Sequence, residues 1–233
     1  MIIRIPALDR HFVDLKWMQA YWLFSYAEWY DPGNVRLGKL RVFNEGLIQP
    51  GEGFDLHFHE ELEIVTIVLS GQLTITDDTG ARAVVHEGDV HRITAGTGIR
   101  HSEKNLATDP ARYCQIWAFP DEPGLIPSYE KKTFGVAPPL DRLLTVASGR
   151  GDGEAVSMHA DASIATGRFS PGFALDYPVV PDRCLFLYVM SGSLTLRDMR
   201  LDQGDQLRVK GEDQLLPLVS TTASSVIIVD VAA

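Results

Sequence analysis

Apolar positions along this chain fall in short β-branched and aromatic runs, and long 3.6-residue periodicities are scarce. Turn clusters such as D-D-T-G (77–80) and E-G-D (87–89) separate the runs. Many short strands at close spacing predict an all-β sandwich or barrel. One stretch, Asp141–Ala147, fits either a short helix or a strand. Glu63, Val65, Ile67 and Leu69 share one parity, which in a strand is one face, and that face reads as inward and apolar. His57 and His59 have the same parity and lead into it.

The pattern also repeats. V-L-S-G-Q-L-T-I (68–75) returns as V-M-S-G-S-L-T-L (189–196), offset by 121 residues. E-G-D-V-H-R-I (87–93) returns as Q-G-D-Q-L-R-V (203–209), offset by 116. Each copy carries an apolar strand, a Ser-Gly turn, an alternating strand, a loop, then a Gly-Asp turn and strand. F-P-D-E-P-G-L-I-P (119–127), with three prolines, reads as the connection. Two homologous β-barrels follow, an N-terminal unit over 1–120 and a C-terminal unit over 121–233.

Composition narrows the function. The 233 residues are 45% hydrophobic, enough for two real cores. Thirty-one acids against 21 bases give a net charge of −10, which argues against a nucleic-acid partner. Cys114 and Cys184 lie far apart in apolar runs and read as reduced core thiols. The run 17–24 is short and holds Gln19, unlike a signal peptide, and no run of about 20 apolar residues exists to span a membrane. The expectation is a cytoplasmic protein with no membrane partner. Hydrolase, P-loop and dinucleotide fingerprints are missing too.

The candidate chemistry is a metal site. His57 and His59 stand at i and i+2, so a strand presents both imidazoles on one face. After the glycines at 96 and 98, His101 and Glu103 form a second such pair. An antiparallel partner strand can set the pairs opposite each other, converging three imidazoles and one carboxylate on a point. That donor set suits one divalent transition metal per chain, with positions left for water or substrate. Shifted by 121, His57 and His59 fall on Pro178 and Val180, and Glu63 on Cys184; shifted by 116, His101 and Glu103 fall on Pro217 and Val219. The scaffold repeats while every candidate ligand disappears together, so the second barrel is expected to be metal-free.

The blocks Gly51…His57, His59, Glu63 and Gly88-Asp89…Gly96, Gly98, His101, Glu103, Asn105 resemble the two cupin motifs. S-Y-A-E-W-Y-D-P (25–32), L-R-V-F-N (40–44), T-A-G-T-G-I-R-H-S-E (94–103) and Q-I-W (115–117) are similar to the pirin family of two-cupin proteins. Phe58 departs from it, standing where many members have proline, but its parity points away from the site. The resemblance implies an iron-type site at His57, His59, His101 and Glu103; copper, nickel, cobalt, zinc or manganese could occupy the same ligands. It also implies quercetin 2,3-dioxygenase activity on a planar flavonol, as in bacterial members. Animal pirins are instead described as redox-sensitive transcription cofactors, which makes a regulatory binding protein with a protein partner the alternative. Glu103 is the expected general base. General cupins use the glutamate after H-x-H, here Glu63; the pirin-like string favours Glu103 and leaves Glu63 to hold an imidazole N–H. His11, His86, His91 and His159 lack a paired ligand and read as surface or hydrogen-bonded histidines. Phe43, Phe54 and Trp117 read as core-packing residues, with the lining of a planar-ligand pocket as the alternative, and Asn105 as a turn-fixing one.

Overall fold

A computed structural model describes residues 1–211 and 214–233. Among the described residues the one helical piece is a single 3-10 turn, Ala7–Asp9, and the rest of the regular structure is strand. No helix there is long and apolar enough to cross a membrane. Arg142–Ser148 is a strand, paired with Ala162–Phe169, which resolves the open reading of 141–147.

The strands form two seven-stranded and two four-stranded sheets. In the first half, Glu63–Ser70 lies between Asp89–Thr94 and Ala111–Ala118 in a seven-stranded sheet, and Gly53–His59 and Ile99–Lys104 pair in a four-stranded one. The second half repeats this with Arg183–Ser191 flanked by Gln206–Lys210 and Ser224–Ala232, and Ala174–Val179 paired to Gln214–Ser220.

Three cores result. Ile64, Val68, Ile75 and Ile99 fill the first barrel, and Leu185, Leu187, Leu216 and Leu218 fill the second. Between the barrels, Phe43, Val65 and Ile67 meet Phe186, Tyr188 and Val229. Central strands of the large sheets are therefore buried on both faces, which is why they read as continuous apolar runs. Each large side chain at this junction contributes roughly 1.5–3 kcal/mol by leaving water.

The barrels also exchange strands. Ile2–Ile5 pairs with Gln206–Lys210 of the second barrel, and Ser128–Thr133 pairs with Asp89–Thr94 of the first. The connection 119–127 lies against the turn that precedes His101. Thr97 donates to the Leu125 carbonyl, and a Cβ on Gly96 would sit 1.9 Å from that same oxygen. With φ at +48° as well, Gly96 holds a place no side chain can take.

Candidate metal centre

The first barrel brings His57, His59 and His101 together. His101 pairs directly with His57 across the two strands, and one ligand atom from each of the three rings lies within 4.8 Å of the others. Ring centroids are 4.5 Å apart for His57–His101, 4.7 Å for His57–His59 and 5.1 Å for His59–His101. His101 is buried, whereas His57 and His59 are partly exposed and open the site to solvent. Leu56 and Phe58, of opposite parity, are half exposed, as the alternation requires. Phe58 covers Gly98, where a Cβ would meet its ring at 2.7 Å.

A β-bulge shapes this edge. His101 faces His57, but Glu103 faces Phe54, so the strand Gly53–His59 carries one extra residue. The Asp55 carbonyl thereby reaches His57 Nδ1 at 2.8 Å, fixing a proton there and leaving Nε2 as the donor atom.

The electrostatics favour neutral imidazoles. Burial, followed by the neighbouring His57 and His101, pushes His59 down to about 3; burial and His57 push His101 down to about 4. Neutral imidazole is the ligating form. Both ring nitrogens of His101 are buried without a hydrogen-bond partner among the described residues. A buried imidazole with both nitrogens unsatisfied is costly unless something binds it, and here two more imidazoles stand beside it. These residues fit a transition metal.

Glu103 is buried on the inner face, close enough to His57 for the two groups to interact. Burial pushes its carboxyl up, against the opposing pull of His57 and Gln115. Gln115 Nε2 donates to both Glu103 oxygens, at 2.9 and 3.0 Å. Gln115 Oε1 in turn accepts from the Trp117 indole N–H at 3.0 Å, and the Trp117 ring packs edge-on against His59 at 4.8 Å. Carboxylate and imidazole are thus braced by one strand, Ala111–Ala118. Phe54 stands beside His57, with 5.9 Å between centroids, so Phe54 and Trp117 flank the site while Phe43 packs at the barrel junction.

Glu63 is elsewhere. The strand Glu63–Ser70 begins after a turn at Glu61 (φ +52°), so parity does not carry over from His57 and His59. Ile64 and Val68 point into the barrel, whereas Val65 and Ile67 point to the junction. Glu63 shares their side and accepts the His159 backbone N–H from the second barrel at 3.1 Å. It therefore holds no imidazole N–H, and the inward face expected of 63–69 is the inter-barrel face.

The second barrel requires another correction of register. His57 opposite His101 corresponds to Tyr177 opposite Leu216, and Glu103 opposite Ile75 corresponds to Leu218 opposite Leu196. The true counterparts of the four residues are Tyr177, Val179, Leu216 and Leu218, which face the second core. Pro178, Val180, Pro217 and Val219 lie one residue off, on the outer side. Offsets taken from flanking motifs miss a residue absorbed in the loops, and a one-residue slip swaps faces. No counterpart is a histidine or a carboxylate under either register.

The remaining histidines divide. His86 and His159 are exposed, and His11 stacks on Trp29 at 4.5 Å. His91, whose strand leads into the second histidine motif and set it apart from the other three, is buried with Nδ1 unpartnered, neither at the surface nor hydrogen-bonded there, because it shares the inward parity of Ile93. Asn105 fixes its turn, donating to the Ile48 and Asp109 carbonyls and accepting from Ala107 N. The sequence reading missed Gln115; its signal was a polar residue two before Trp117, alternating with apolar Cys114 and Ile116.

Comparison with known proteins agrees with this architecture. A family model described as pirin matches residues 6–118, and one described as the quercetinase C-terminal cupin domain matches 145–231. A pirin-like protein of Caulobacter vibrioides is 33% identical over 233 residues, covering all of both chains. The quercetin 2,3-dioxygenase of Escherichia coli K12 is 29% identical over 231 residues, 99% of this chain and 98% of that one. Among solved structures, the bacterial pirin YhhW of Escherichia coli in complex with nickel(II) matches at a TM-score of 0.93 and 28% identity, over 100% of this chain and 99% of that one.

Proposed function

The chain belongs to the pirin family and has its tandem cupin fold, and from that premise we propose that it is a metal-dependent dioxygenase of flavonols such as quercetin. One flavonol and one dioxygen would give one ring-opened ester and one carbon monoxide. The observation that carries the reading is the convergence of three imidazoles beside a buried carboxylate in one barrel, with apolar residues and a tyrosine in the matching places of the other. Relatives named quercetin 2,3-dioxygenase support the choice of substrate.

In this reading His57, His59, His101 and Glu103 hold one divalent metal per chain. Iron is the proposed native ion, and the nickel of the related bacterial pirin supports a site tolerant of other divalent metals. The bound metal supplies a Lewis acid that lowers the pKa of the flavonol 3-hydroxyl. Glu103 takes that proton on a carboxylate oxygen, and its burial favours the neutral acid that results. Gln115 keeps both oxygens aimed while this happens. Trp117 and Phe54 present flat apolar edges to a planar ligand and keep water from its lower face. Residues 1–120 form the metal-binding cupin unit, and 121–233 its metal-free companion, which buries the outer side of the large sheet.

The test is oxygen uptake by the metal-loaded protein with quercetin, in wild type and Glu103→Gln. The variant should fold, bind metal somewhat more weakly, and lose about 10²-fold in turnover, the scale of a positioned base. Full turnover with metal retained would remove Glu103 from the base role.

A further inference from the structure

Away from the metal centre, a cavity of about 280 Å³ opens where the two barrels meet. Its walls come from both halves: Leu69 and Val90 from the first barrel, Leu144, Met190 and Ile227 from the second, with Phe134, just after the exchanged strand Ser128–Thr133, between them. Pockets for small ligands favour such domain junctions, and apolar walls with a few polar groups are their usual lining. Here the charged groups lining it are two guanidiniums, Arg112 and Arg168; no carboxylate lines it among the described residues. In a chain of net charge −10 that is a local reversal of sign.

The two arginines differ. Arg112 is tied to Glu45 through Nε and Nη2, which leaves Nη1 without a hydrogen bond among the described residues. Arg168 is exposed and pairs with no carboxylate among the described residues. Across the strands it faces Arg142, also exposed. Two polar groups of the wall, Ser191 and Ser225, bond to each other at 2.7 Å.

We propose that this junction is a second small-molecule site, which takes a monocarboxylate with an apolar body. The volume lies at the small end of the range for ligand pockets and limits the body to about ten non-hydrogen atoms. The tail lies among Leu144, Met190 and Ile227, and the carboxylate meets Arg168 at the mouth, where a guanidinium offers paired donors to a planar anion. Nothing in this assignment depends on the metal centre or on its reaction.

Met190 makes the site directly observable, because it is one of only five methionines and lines the cavity. With methyl-labelled methionine in the full chain, octanoate should move the Met190 signal saturably and leave Met18 and Met199, in the two barrel interiors, in place. Octanamide, of the same length without charge, should bind at least fivefold more weakly. Arg168→Gln, an exposed change that leaves the core intact, should weaken octanoate by about the same factor and leave octanamide unaffected. A carboxylate bound at the metal centre would not reproduce this pattern. A Met190 signal unmoved by millimolar octanoate overturns the proposal, as does an octanoate affinity indifferent to Arg168→Gln.

Discussion

Replacing Gln115 by leucine tests whether Glu103 is held as a charged group at the metal site. The substitution keeps the approximate volume and removes two sets of hydrogen bonds in a place where Gln115 is 5% exposed and water has little access. The first is the forked donation from Nε2 to both Glu103 oxygens; the second is the acceptance by Oε1 of the Trp117 N–H. A bond to an ionised group is worth about 1.5–3 kcal/mol and a neutral one about 1 kcal/mol. In the metal-free protein, burial pushes the Glu103 carboxyl toward its neutral form; with both bonds counted as neutral the loss is about 2 kcal/mol. In the metal-bound protein Glu103 is ionised, and the loss grows to roughly 2.5–4 kcal/mol. The difference, about 0.5–2 kcal/mol, falls on metal affinity alone, a weakening of roughly 2- to 30-fold and centred near tenfold. Urea unfolding of the metal-free protein reads the first quantity, and chelator competition with nickel reads the second. Stability lowered as expected, with nickel affinity within a factor of about two of wild type, would show that Gln115 braces the barrel but not the metal-bound carboxylate.

Three further expectations follow from the barrel junction. Glu63→Gln should leave nickel affinity within about twofold of wild type, because Glu63 faces the second barrel; a loss of tenfold or more would return it to the metal site. The same variant has a pH signature. Burial raises the folded pKa of Glu63 above 4.5, so its contribution is complete below 4.5 and is lost as pH rises through the raised value; the variant should gain on wild type in urea unfolding over that rise, and a constant difference from pH 4 to 7 would contradict this. Tyr188→Phe removes a buried hydroxyl that donates to Glu45 and accepts from Arg10, both at 2.6 Å, and should cost about 1–3 kcal/mol in urea unfolding; less than about 0.5 kcal/mol would mean the junction does not rely on it.

The sequence carried the site better than the scaffold around it. His57, His59 and His101 were legible because their spacing is a property of a strand, two residues per repeat, and needs no tertiary knowledge. The tandem barrels were legible because the Ser-Gly and Gly-Asp turns repeat with their glycines in place. Glu63 was misread because parity was carried through the turn at Glu61, where the chain leaves one sheet and enters another. The second barrel was misread by one residue for a similar reason, since flanking motifs fix an offset only up to the next loop. The exchange of Ile2–Ile5 and Ser128–Thr133 between barrels left no local trace, because an edge strand pairs through its backbone and any extended segment will serve. Gln115 was hidden for a different reason: its partners, Glu103 and Trp117, are known only once the strands are side by side.

The central claim, turnover of a flavonol by a metal held in the first barrel, is tested most directly by gas analysis of quercetin incubated with wild type and with a His57→Ala, His101→Ala double variant. Both are exposed in turn to iron, copper, nickel, cobalt, zinc and manganese. The account predicts that wild type carrying one metal per chain consumes one dioxygen and releases one carbon monoxide per quercetin, and that the double variant binds no metal at the site and releases none. Wild type that holds its metal and yields no carbon monoxide with any of the six would contradict it and leave the family's other role, a regulatory binding protein, as the better reading.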